Sequence, residues 1–152
     1  MKKNTLQNLM QEHSSTQKQS AMDEEKMYHM IHMLKDTEIL EEDKGYILFL
    51  YLGTKIIFFC DEEYNRMRII APITSYSVLA PKIKDSLMQS NFHLSLDARY
   101  SVSEDTLYSA FLHPLSSLSG EDFKSALKQV RNLAVSFGKT YSSAQIEFTQ
   151  RK

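Results

Sequence analysis

Tryptophan is absent from the 152 residues, glycine occurs four times, proline three times and cysteine once. The single thiol, Cys60, excludes an intrachain disulfide, so the chain is no disulfide-stapled scaffold. So few glycines leave no Gly-x-Gly-x-x-Gly or Walker loop to wrap a phosphate. The Gly-x-Ser-x-Gly elbow and the His-Glu-x-x-His zinc signature are missing as well. No apolar run approaches the roughly 18 residues that a membrane-spanning helix needs. The opening MKKNTLQNLMQEHSSTQKQS never reaches the apolar stretch of a secretory signal, so a cytoplasmic location is expected, and an unpaired thiol suits a reducing compartment. Excess charge of either sign is also lacking. With 18 basic against 19 acidic residues the formal charge is -1, which gives no field to draw the protein onto nucleic acid or anionic lipid.

What is present is an ordinary globular composition, 42% apolar and 24% charged. A chain of this length buries roughly 70% of its unfolded surface and needs no structural metal to fold. Residues 1–20 are rich in Gln, Ser, Thr and Lys and offer only Leu6, Leu9 and Met10 to a core, so they read as a flexible polar tail with a turn of helix at Leu6 to Met10. Order begins at Ser20, where Ser20-Ala21-Met22-Asp23 has the form of a capping box. The spacing predicts a helix from Ala21 to Asp36 with Met27, Met30, Ile31 and Leu34 on its core stripe and Met22, His29, His32 and Met33 opposite.

Strands are predicted at Gly45–Leu52, Lys55–Asp61 and Arg66–Ile73, as an antiparallel meander whose first turn is Gly53-Thr54. A helix over Ser77–Gln89 carries Leu79, Ile83 and Leu87, with Pro81 in its first turn. Phe92 to Val102 alternates apolar and polar residues as a half-buried strand does, and Thr106–Leu112 follows as its partner. Ser119-Gly120-Glu121-Asp122 then caps a long helix bearing Phe123, Ala126, Leu127, Val130, Leu133, Ala134 and Phe137 on one stripe. The chain is expected to be one α+β domain over 21–141, with a C-terminal tail over 142–152.

Pairing Leu52 with Lys55 across the first turn puts Tyr46, Leu48, Leu50, Ile57 and Phe59 on one hairpin face and Ile47, Phe49, Tyr51, Ile56, Phe58 and Cys60 on the other. Both faces are apolar, so the hairpin needs cover on both sides. Register alone does not choose which face is inward. The second set is taken as the outer one, and Ile47, Phe49, Tyr51, Ile56 and Phe58, together with Met33 on the soft outer side of the first helix, are the expected partner-binding residues.

The order of elements resembles the fold of the specialised type III secretion chaperones and of the YbjN-like family that shares it. The likeness rests on Asn91, on LSLDARYSVSEDTLYSAFLHPL with its Leu112-His113-Pro114-Leu115 ending, and on SLSGEDFKSALKQVRNLAVSFGKTY. The resemblance implies an antiparallel sheet with helices, no enzymatic activity, no cofactor, a homodimer, and a protein partner such as a secretion substrate or regulatory target. Such chaperones hold an extended segment against apolar patches on their strands and first helix. The near-neutral charge and the polar tail depart from the pattern towards a YbjN-like regulatory homodimer without a client.

Other constellations read more simply as structure. Met27-Tyr28-His29-Met30-Ile31-His32-Met33 contains soft-metal ligand types, but the helical wheel scatters them and adaptable apolar packing accounts for them. Cys60 stands beside Asp61, Glu62 and Glu63, which oppose thiolate formation. His113 with Asp97 or Asp105 and a serine makes a triad only on paper, and Asp97 and Arg99 read as a solvated strand face. Lys82, Lys84, Lys124, Lys128 and Arg131 form no strip that outweighs the neutral total.

Overall fold

The computed structural model describes residues 20–143. Residues 1–19, with the expected turn at Leu6 to Met10, and residues 144–152 lie outside the described residues. The elements are α1 (Glu24–His32), β1 (Thr37–Asp43), β2 (Tyr46–Tyr51), β3 (Thr54–Asp61), β4 (Arg66–Ser75), α2 (Pro81–His93), β5 (Arg99–Ser103), β6 (Thr106–His113) and α3 (Gly120–Val135). All six strands form one antiparallel sheet in the order β1-β2-β3-β4-β6-β5. The α+β class is as expected, with one strand more than the sequence patterns showed. That strand, β1, reads Thr-Glu-Ile-Leu-Glu-Glu-Asp, and its four acids suppress the usual strand signal.

Local chemistry sets the element ends. Asp23, three residues beyond the expected Ser20, caps α1 by accepting from the Lys26 N–H at 2.9 Å, and Glu24 and Glu25 occupy the dipole-favoured first turn. The helix stops at His32 because the chain turns through Asp36 in the left-handed region (φ 55°), where the Leu52 N–H donates to the Asp36 carbonyl at 2.9 Å. Pro81 occupies the start of α2, so that helix begins four residues after Ser77. The Asp105 carboxylate holds the preceding segment by accepting from the Ser77 N–H and the Ser75 hydroxyl, both at 2.7 Å. These bonds, the Ser75 hydroxyl foremost, keep its carboxyl below the usual carboxylate range. Ser119 caps α3 as expected, accepting from the Asp122 N–H at 3.0 Å.

The strand expected over 92–102 shrinks to Arg99–Ser103, and α2 runs on through Phe92 and His93. Side chains take the bonds that strand would have made. The Gln129 carbonyl accepts from the N–H groups of Asp97 (2.8 Å) and Ala98 (3.1 Å). Asn91 bonds both backbone groups of Tyr100, at 2.7 and 3.1 Å, as a neighbouring strand does. Ser142 and Ser143, expected in the C-terminal tail, are buried, and the Ser143 hydroxyl accepts from the Leu96 N–H.

In the β2–β3 hairpin Tyr51 pairs with Thr54, so the turn is Leu52-Gly53 and not Gly53-Thr54. Both turn residues are left-handed, at φ 49° and 77°, the pattern that favours Asn-Gly. The observed register differs from the expected one by two residues, which leaves the membership of each face unchanged. Leucine is an uncomfortable occupant of this exposed position. Leu52→Asn is expected to stabilise the protein by about 0.5–1 kcal/mol, read as a rise of a few degrees in Tm.

Helices α1 and α3 cover one side of the sheet. The core joins Met27 and Ile31 of α1 and Phe123, Ala126, Leu127, Val130 and Leu133 of α3 to Ile47, Phe49, Ile56, Phe58, Met67, Ile69 and Ala71 of the sheet. Phe58 meets Phe123 edge-on at 6.2 Å. The face carrying Ile47, Phe49, Ile56 and Phe58 is therefore the inner one, against the expectation that it points outward; all four residues are fully buried. Both hairpin faces are apolar, and the docking of the amphipathic stripe of α3 selects this side as the inner one.

Candidate protein-binding surfaces

Because the second hairpin set is internal, the first set is outward. Read across the observed register, Leu48, Ile57, Ile70 and Ala110 make one outer row, and Tyr46, Phe59, Arg68 and Leu112 make the next. The Tyr46 and Phe59 rings lie 6.2 Å apart, and Leu112 is 58% exposed. An antiparallel sheet with water on one face ordinarily alternates apolar with polar residues; here Tyr46, Leu48, Ile57, Phe59, Ile70 and Leu112 point outward too, with Arg68 among them. Among the described residues no helix packs on that side, and the result is a contiguous apolar surface spanning four strands. Tyr108 and Val102 extend it beside Ile70 and Leu112 in a shallow hollow of about 450 Å³.

The two sheet edges differ. On β5 the amide of Asn91 already occupies the backbone of Tyr100, and α2 packs against this strand. On the other side, β1 has β2 as its only strand neighbour among the described residues, which leaves its second row of backbone groups open to an added strand. Its register slips between Ile39 and Glu41, leaving Leu40 exposed and unpaired at the middle. Helix α1 steadies this strand through the Tyr28 hydroxyl, which donates to the carbonyls of Asp43 (2.5 Å) and Tyr46 (3.3 Å), and through His32 and Glu42, 2.6 Å apart.

Two of the six expected partner-binding residues do come together. Met33, 71% exposed at the end of α1, and Tyr51, half-buried at the end of β2, share a groove of about 390 Å³ between α1 and α3. The other four, Ile47, Phe49, Ile56 and Phe58, lie beneath it in the core. Sequence reasoning missed the outer residues Phe59, Ile70 and Leu112, although the apolar character of both hairpin faces was the signal that something of this kind existed.

The nucleophile and triad candidates are differently employed. Burial foremost, with Glu24, Glu62 and Asp61 adding, pushes the Cys60 thiol up to about 12, so it stays protonated. Asp97 and His113 line one polar cleft with Gln129. There the Asp97 carboxylate accepts from Gln129 at 3.0 Å, and His113 Nδ1 donates to the Pro114 carbonyl at 2.7 Å. Asp105 is committed to Ser75 and Ser77.

The fold is that of the type III secretion chaperones. The chain is similar to a protein of the ExsC–ExsE complex, with a TM-score of 0.54 at 17% identity, covering 72% of this chain and 89% of that one. It is similar in the same degree, TM-score 0.54, to a chain of the HopA1–SchA chaperone–effector complex, at 10% identity over 74% of this chain and 87% of the other. A structure of the Yersinia pestis type III secretion chaperone SycH with a stable fragment of YscM2 matches with a TM-score of 0.52 and 15% identity, over 74% of this chain and 94% of its own. No family model and no curated protein matches by sequence. Among the described residues no helix is long and apolar enough to cross a membrane.

Proposed function

We propose that the protein is a non-enzymatic, cytoplasmic chaperone or adaptor that works as a homodimer and holds a segment of a partner protein on its surface. The observation that carries this reading is the apolar outer sheet face built on Leu48, Ile57, Phe59, Ile70 and Leu112. Left in water, such a surface promotes association; buried against a second copy, it drives a dimer. The open edge of β1 and the Met33–Tyr51 groove then remain for the partner segment, one offering backbone pairing and the other an apolar seat. Two of the fold's solved relatives, HopA1–SchA and SycH–YscM2, are complexes of chaperones with other proteins, which supports the same use of this scaffold.

The test is size-exclusion chromatography with light scattering on tagged protein from its native host, with mass spectrometry of what accompanies it. The expected result is a dimer carrying a stoichiometric second polypeptide. A homodimer with nothing attached favours the YbjN-like regulatory reading, and a monomer refutes the role given to the outer face.

A further inference from the structure

The groove between α1 and α3 combines two kinds of side chain that a merely structural crevice does not need. Its apolar part is built by Met33, Leu34, Tyr51 and Leu127, and Met33 projects into solvent at its lip. Lys35, Lys124 and Lys128 stand around it, the last two one helical turn apart on the exposed side of α3. None of the three lysines has a carboxylate within ion-pair distance among the described residues, where the ion pairs are Lys26–Asp23 and His32–Glu42. Among the described residues Asp36 is the one acid lining the groove. The protein as a whole has a formal charge of -1, so this concentration of uncompensated positive charge is local.

We infer that the groove selects a partner segment in which an apolar side chain is flanked by acidic residues. The volume of about 390 Å³ suits one or two large apolar side chains, for which the flexible thioether of Met33 is an adaptable lid. Carboxylates on the residues beside that anchor come within reach of Lys124 and Lys128 on one bank and of Lys35 on the other, and basic residues there meet like charge. The inference rests on the protein-binding reading above and adds to it the chemical character of the bound segment.

The experiment is selection of a random twelve-residue phage-displayed peptide library on the folded full-length protein, followed by fluorescence-polarisation titration of synthetic versions of the enriched peptides. Enriched peptides are expected to carry Leu, Ile, Phe or Met beside Asp or Glu. Their lysine-flanked counterparts are expected to bind about fivefold to tenfold more weakly, a difference that shrinks as salt is raised. The double variant Lys124→Glu, Lys128→Glu, on an exposed helix face and checked for an unchanged melting curve, is expected to reverse the preference, and Met33→Asp to abolish binding of both peptide sets. Apolar peptides selected without acidic bias, or a preference that survives the double charge reversal, overturn the inference while leaving the protein-binding reading standing. Failure of the library to yield any peptide sensitive to Met33→Asp overturns the groove as a binding site, and the light-scattering and mass-spectrometry result decides the protein-binding reading separately.

Discussion

Aspartate at Phe58 is expected to unfold the chain, whereas aspartate at Phe59, the adjacent residue, leaves it folded and removes its self-association. Phe58 is fully buried against Phe123 and Ile69, and losing such a ring costs about 3–5 kcal/mol before the penalty of an interior carboxylate is counted. A domain whose whole stability is about 5–15 kcal/mol does not absorb that sum. Phe59 points the other way, into the outer row with Tyr46 and Leu112, where a charge is hydrated in the monomer and intolerable only in an apolar interface. Circular-dichroism melting separates the two variants, and light scattering reports the mass of the folded one. A folded Phe58→Asp protein contradicts the assignment of the inner face; a folded Phe59→Asp protein that is still dimeric contradicts the proposed interface.

The second large effect is expected at Gln129, a residue only 6% exposed on α3. Its amide ties α3 to the approach of β5 by accepting from Asp97 and Ala98 and donating to the Asp97 carboxylate and the Ser125 hydroxyl. Gln129→Leu keeps the packing but strands the buried Ala98 N–H and, in part, that of Asp97, at a cost of about 2–4 kcal/mol by chemical denaturation. Gln129→Glu provides a further check, because it restores the acceptor while setting a second carboxylate beside Asp97. Like charge raises the folded-state pKa of the new glutamate above its unfolded value, so its favourable protonated form is lost as pH rises through that pKa. The Glu variant should therefore recover stability relative to wild type as pH falls, and the Leu variant should not. A Leu variant as stable as wild type refutes the role of the amide.

The hairpin phenylalanines and Gln129 mark where sequence reasoning succeeded and where it stopped. Helix α3 was legible from its start, where cap, first-turn acids and apolar stripe agree, although it ends at Val135, short of the expected Phe137. The alternation at Phe92–Ala98 misled because its residues face no common layer, Phe92 being 84% exposed. Its strand-like hydrogen bonds go to Gln129, which is 31 residues away from Ala98 and invisible to any local window. The hairpin faces were sorted correctly, since a slip of two residues preserves them, yet their orientation was not decidable: both are apolar, and only the docking of α1 and α3 breaks the tie. The groove was half-legible in Met33 and Tyr51; Lys35 is their near neighbour in sequence, but Lys124 and Lys128 come from a helix that follows Tyr51 by some seventy residues, and only the tertiary fold brings them together.

The unequal treatment of the sheet's two ends decides where a further strand can join. Asn91 fills the backbone position of Tyr100 on β5, so among the described residues β1 is the more open end of the sheet. A strand added to this sheet therefore joins beside β1 and its four acids, and meets a filled backbone position at β5.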